Sequence, residues 1–211
     1  MSCLNVEKVI RIMAQTIIAH ENELSELDGV VGDGDCGFSL ARGFEKVLED
    51  FDQLDRSSPG AFLKKVAMTF MGRVGGVSGT IWGTAFLQAG IYLGERKEIN
   101  REDVVGMFRQ SIAGIKRRGQ SDVGDKTLLD ALVPAVNSLE QSFQKGHDEQ
   151  TTLQAAAICA RQAAESTRNM LAKKGRAAYA GERSIGSLDA GAVAIALLFE
   201  AVSKACTEYQ L

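Results

Sequence analysis

The sequence predicts an all-α fold, a single domain over residues 1–211 built from about eight helices. Three observations carry that expectation. Apolar residues recur at the spacing that lines one face of a helix, in segment after segment. No stretch alternates apolar and polar residues as a half-buried strand would. The breaks between periodic segments carry the residues that start and stop helices.

In order, Val6, Val9, Ile10, Met13, Ile17 and Ile18 place a first helix that runs to residue 26. After a loop rich in Asp and Gly, Phe38, Phe44, Val47, Leu48 and Phe51 repeat the pattern to residue 52. Ser58 and Pro59 suit the start of a third helix through Phe62, Leu63, Val66, Phe70 and Met71. A glycine-rich turn, Gly75 to Thr80, feeds the apolar run Ile81 to Leu87. Asn100 with Asp103 looks like a cap opening a helix through Val104, Val105, Phe108, Ile112 and Ile115, which ends on Lys116, Arg117 and Arg118. A sixth helix is expected from Thr127 to Phe143, kinked at Pro134. An alanine-rich seventh helix covers 150–173. Residues 173–191 form the longest non-periodic stretch, and loops of that length in compact domains are usually functional or mobile. The last helix, from Ala192 to Thr207, is almost wholly apolar until Glu200 and therefore central.

Composition excludes several classes. A formal net charge of -3 argues against broad nucleic-acid or anionic-membrane binding. No uninterrupted apolar run reaches the roughly 18 residues of a spanning helix, and the first residues lack a signal peptide's apolar centre, so a cytoplasmic protein is expected. Cys3, Cys36, Cys159 and Cys206 are scattered without metal-ligand spacing, which favours free thiols. Two histidines, His20 and His147, make a histidine metal site or triad improbable on numbers alone.

The chemistry concentrates between the first two helices, in Asp28-Gly-Val-Val-Gly-Asp33-Gly-Asp35-Cys36-Gly37. Hard divalent cations such as Mg²⁺ prefer carboxylate oxygens and commonly share them with substrate phosphates. The glycines let the carboxylates turn toward one point. An Asp- and Gly-rich turn of purely conformational origin fits the same residues. The helix that follows offers N–H groups to a phosphate. Gly75 to Thr80 admits two readings as well: a second anion cradle, or a tight helix crossing through small residues.

These blocks resemble a known family. The Asp loop, Gly75-Gly-Val-Ser-Gly79, Gly124-Asp-Lys-Thr127-Leu-Leu-Asp130, Gly175-Arg-Ala-Ala-Tyr179-x-Gly-Glu-Arg183-Ser-Ile-Gly186 and Asp189-Ala-Gly191-Ala look like the nucleotide-binding L part of dihydroxyacetone kinase, in the family's order. The resemblance implies an antiparallel eight-helix barrel with the nucleotide at one end. It implies that Asp28, Asp33 and Asp35 hold two Mg²⁺ on the phosphates of ATP or ADP. Cys36, Gly37, Phe38 and Ser39, with Val77, Ser78 and Gly79, would line the phosphates. Gly119, Leu128, Arg176, Asp189, Ala190 and Gly191 would complete the nucleotide contacts. It implies further that a separate K subunit carries the small ketose, so the L part alone would be inactive.

Two departures bear on the phosphoryl donor. Many stand-alone L subunits that serve the bacterial phosphotransferase system have His where this chain has Cys36, and often Pro where it has Ala190. Both residues here look more like the fused, ATP-dependent kinases, which tilts the expectation toward exchangeable Mg-ATP. The alternatives are a phosphotransferase-linked subunit whose retained ADP is rephosphorylated by a phosphohistidine protein, a regulatory or adaptor protein without catalysis, and the nucleotide domain of a fatty-acid kinase system.

Overall fold

The computed structural model describes residues 4–208. Among them are nine α-helices: α1 (Val6–Ala19), α2 (Glu21–Gly29), α3 (Cys36–Glu49), α4 (Pro59–Arg73), α5 (Gly76–Leu93), α6 (Arg101–Gly119), α7 (Leu129–Gln144), α8 (Glu149–Ser166) and α9 (Ala190–Glu208). Three 3-10 helices, Phe51–Gln53, Thr167–Asn169 and Arg176–Ser184, complete the described elements, none of which is a strand. The all-α expectation holds. The ninth helix comes from a break in the expected first one at His20 (φ -108°, ψ 18°), whose N–H is shared between the carbonyls of Thr16 and Ile17. The apolar spacing continues across that break, so periodicity does not reveal it. Pro134 sits inside an unbroken α7, and α8 stops at Ser166, short of the expected 173.

The chain divides into two compact units, one comprising the residues up to Phe38 and from Ser121 onward, the other Ser39–Gln120. The first is built around α9, which packs against α1, α2, α7 and α8. Val193, Ala194, Ile195, Ala196, Leu197 and Leu198 are all buried. On α8 the buried face is Ala156, Ala157, Ala160 and Ala164, small enough to let the two helices approach closely. By length and composition α9 could cross a membrane, with a mean hydropathy of 1.5 over an 18-residue window. That corrects the expectation drawn from uninterrupted runs, which Glu200 and Lys204 cut short. More than half of that window is buried, as a core helix requires.

The second unit holds α4, α5, α6 and the body of α3. Phe44 makes edge-to-face contacts with Phe70, Trp82 and Phe86, at centroid distances of 5.2, 6.5 and 6.0 Å. Helices α4 and α5 cross where a Cβ on Gly60 would stand 2.8 Å from the Gly90 carbonyl oxygen, and one on Gly90 equally close to that of Gly60. The expected starts are present. Ser58 Oγ accepts from the Ala61 N–H at 3.0 Å, and Asn100 and Asp103 form a reciprocal capping box. Cys36 and Cys159 are free thiols, but Cys206, wholly buried on α9, is disulfide-bonded, which corrects the free-thiol expectation there. Cys3 lies outside the described residues.

Candidate functional site

Asp28 occupies the last turn of α2, and Asp33 and Asp35 the loop to α3. One carboxylate oxygen from each falls within 4.8 Å of the others. Backbone geometry makes this possible. The Gly32 N–H donates to the Asp28 carbonyl at 2.6 Å, a Cβ on Gly32 would stand 2.9 Å from Asp28 Cγ, and Gly34 adopts φ +75°. The Arg176 guanidinium pairs with Asp33 and lies 3.8 Å from Asp35. A positive group thus already sits on the carboxylates. Three converging anionic oxygens suit a hard divalent cation, and such a cluster is costly unless a cation balances it. These residues therefore fit Mg²⁺.

The start of α3 differs from the expectation of available donors. Phe38 N–H donates to Ser25 Oγ at 3.1 Å and Cys36 N–H makes a long contact, 3.4 Å, to Asp28 Oδ2. Gly37 is packed so closely that a Cβ would overlap the Glu21 carbonyl oxygen. The helix is pinned to α2 here, so two of its leading donors have protein partners. Burial, reinforced by Asp28, Asp189 and Asp35, pushes the Cys36 thiol up to about 12. It is a neutral thiol at physiological pH, which excludes it as a ready nucleophile.

Asp189 caps α9, accepting from the Ala192 N–H at 2.8 Å, while its own N–H donates to Thr167 Oγ1 at 3.0 Å. Burial, together with the charges of Asp130 and Asp28, raises its carboxyl to about 7, against the lowering pull of the cap bond and Lys126. A Cβ on Gly191 would lie 3.3 Å from Leu128 Cβ, so Leu128, Asp189, Ala190 and Gly191 adjoin one another. Beside Asp33 a groove of about 460 Å³ is lined by Val31, Gly32, Arg176, Tyr179, Ala180 and Arg183. Tyr179 is 92% exposed on its rim.

The stretch 173–191 is more ordered than its composition suggests. Its centre is the 3-10 helix Arg176–Ser184, kinked at Gly181. Ser184 Oγ donates to the Gly181 carbonyl at 2.6 Å and accepts from the Ala172 N–H at 2.9 Å. Gly186 N–H reaches the Arg168 carbonyl at 2.7 Å. Lys126 Nζ bonds carbonyls on both sides of the turn. In the sequence Lys126 is one more charge after a basic helix end. Its only signal was its place in the block Gly124-Asp-Lys-Thr127.

The remaining candidates lie in the other unit. Ser39 is on α3 and Gly119 ends α6. Val77, Ser78 and Gly79 form the first turn of α5, where Val77 is 70% exposed and a Cβ on Gly79 would overlap the Val74 carbonyl oxygen. The close fit at Gly79 is thus to the turn that joins α4 to α5.

Residues 30–204 match the DAK2 domain, and the chain belongs to that family. It is 39% identical over 193 residues to the Escherichia coli (strain K12) protein named PEP-dependent dihydroxyacetone kinase, ADP-binding subunit DhaL, with 91% of this chain and 92% of that one covered. Similarity to the L-erythrulose kinase of Pectobacterium atrosepticum is 36% identity over 191 residues, covering 89% of this chain and 32% of that protein. The fold is similar to the dihydroxyacetone kinase of C. freundii in complex with AMP-PNP and Mg²⁺, with a TM-score of 0.75, 27% identity, and 94% of this chain against 33% of that one. The family resemblance read from the motifs is borne out. On the donor, these relatives favour the alternative: the one matched nearly end to end is PEP-dependent, whereas the chain spans about a third of the L-erythrulose and C. freundii kinases. Cys36 and Ala190 point the other way, toward the ATP-dependent kinases.

Proposed function

We propose that this chain is the nucleotide-carrying L subunit of a small-ketose kinase of the phosphotransferase-linked kind. ADP stays bound as a cofactor and is rephosphorylated in place by a phosphohistidine protein. The phosphoryl group then passes to dihydroxyacetone or a related ketose held on a separate K subunit. The observation that carries this reading is near full-length similarity to a protein named as the ADP-binding subunit of a PEP-dependent kinase, joined to a carboxylate trio of matching chemistry.

Phosphoryl transfer calls mainly for positioning and for neutralisation of phosphate charge. Asp28, Asp33 and Asp35 would hold Mg²⁺, two ions by the family resemblance, and Mg²⁺ bound there supplies that neutralisation. Arg176 offers charge-assisted hydrogen bonds to a phosphate from the same edge of the cluster. The neutral Cys36 thiol takes no covalent part. Leu128, Asp189, Ala190 and Gly191 would border the nucleotide, and Gly37, Phe38 and Ser39 would support it from α3. Val77, Ser78, Gly79 and Gly119 are candidates on the family pattern. The chain alone transfers nothing to a ketose, and a cytoplasmic location goes with this reading. Exchangeable Mg-ATP is the second reading, supported by the similarity to the larger kinases.

Radiolabelled ADP loaded on the pure chain and chased with excess unlabelled ATP and Mg²⁺ tests the proposal. Label that stays bound for an hour is expected. Exchange within seconds transfers the assignment to the ATP-dependent reading, and no binding of either nucleotide defeats both.

A further inference from the structure

Lys126 is 2% exposed, and its backbone is left-handed at φ +61°, a conformation a non-glycine residue adopts only when its surroundings impose it. Its ammonium donates to the carbonyls of Met170 (3.2 Å), Ser187 (2.8 Å) and Ser184, with Ser187 Oγ at 3.3 Å. Three protons thus meet three backbone carbonyls and a hydroxyl. Met170 precedes the turn that carries Arg176, Ser184 closes it and Ser187 follows it, so one side chain ties both ends of that turn together. The neighbouring block adds a second tie, since the Lys173 N–H donates to the Asp125 carbonyl at 3.1 Å. Lys126 is itself held by Asp130, whose carboxylate accepts the N–H groups of Gly124 at 2.5 Å and Thr127 at 2.7 Å.

Burying an ammonium is expensive, and an apolar side chain would fill the same volume at less cost. What the cation adds is a fixed geometry for three carbonyls that lie outside the α-helices. We propose that Lys126 is a positioning residue: it pre-organises residues 170–187 so that Arg176 is presented at the Asp33 and Asp35 edge before ligand arrives. This rests on the reading of that edge as a nucleotide site. The gain is in ordering, because a loop already held in its binding geometry does not lose that freedom when nucleotide binds.

The test combines Lys126→Met and Arg176→Ala, singly and together, with two readouts on the full chain. Hydrogen exchange without nucleotide should rise about tenfold or more across 170–187 while α7 and α8 keep their protection. Titration with ADP and Mg²⁺ should show Lys126→Met weakening affinity about tenfold in the parent and by less than about twofold when Arg176 is already alanine, because the two act through one contact. Unchanged exchange across 170–187, exchange that rises equally in α7 and α8, or equal losses in both backgrounds would each overturn the assignment. If Lys126→Met does not fold, Lys126→Gln, which loses the charge and one of the three donors, replaces it. Exchange should then rise about threefold across the same residues, and flat exchange overturns the proposal. A parent chain that binds no ADP defeats the nucleotide reading instead, and leaves the exchange result to judge Lys126 alone.

Discussion

Gly37 offers the sharpest test of how the acidic loop is held. A Cβ there would overlap the Glu21 carbonyl oxygen and stand 2.6 Å from Ser25 Oγ and 2.7 Å from Ser25 N, where ordinary contact begins near 3.4 Å. The Ser25 hydroxyl can rotate away only by giving up its bond to Phe38 N–H. The Glu21 carbonyl belongs to α2 and cannot move alone. Overpacking of this kind costs about 1–3 kcal/mol, and the lost hydrogen bond about 1 more. For Gly37→Ala we expect a loss of roughly 2–4 kcal/mol, which at about 2–4 °C per kcal/mol for a chain of this size lowers Tm by roughly 5–15 °C. Thermal unfolding followed by circular dichroism in excess chelator measures it. Gly72, late in α4, is the control, since a Cβ there meets nothing within 4 Å, and Gly72→Ala should raise Tm slightly. A Gly37→Ala protein melting within about 2 °C of the parent would refute the reasoning, because the clash would then have been relieved at no cost.

Asp33→Asn should abolish Mg²⁺-dependent ADP binding in a calorimetric titration and leave the helical signal intact. Its pairing with Arg176, itself 64% exposed, contributes less than about 1 kcal/mol to the fold; unchanged affinity in the variant would defeat the metal assignment. Asp189→Asn should act through pH. The folded-state value of about 7 stands above the ordinary 3.8, so the folded protein holds this proton more tightly than the unfolded chain. The resulting stability is full below about pH 4 and lost as pH rises through about 7, and the amide keeps the cap on α9 without carrying a buried charge. We expect equal melting temperatures near pH 4 and an advantage for the variant of roughly 2–4 kcal/mol at pH 8 in chelator, at about 1.36 kcal/mol per pK unit. Parallel curves across that range would show that Asp189 is not forced toward its neutral form.

What the sequence made legible was local. Ser58 and Asn100 announce helix starts because a cap acts over three residues, and both are found where the pattern puts them. The carboxylate trio was legible because Asp28, Asp33 and Asp35 are close in the chain as well as in space. The illegible parts depend on partners far along the chain. Lys126 reads as one more charge near a basic helix end until Met170, Ser184 and Ser187 surround it. Residues 173–191 read as structureless because their bonds run to Ala172, Arg168 and Thr167 rather than along a helix. The break at His20 escaped for the opposite reason, since apolar residues on its two sides serve the same core.

Every helix that packs on α9 precedes it in the chain, and α1 and α2 do so by the whole length of the intervening unit. During synthesis, therefore, α1, α2, α7 and α8 are all made before the segment they surround. Helices α7 and α8 can pack on each other before then, but the parts of α1, α2, α7 and α8 that meet α9 have no cover until residues 190–208 follow. The helix that is, among the described residues, long and apolar enough to cross a membrane is thus the last of the five to be made, and its partners in the core precede it. That order shortens the exposure of the segment best suited to aggregate or to enter a lipid bilayer.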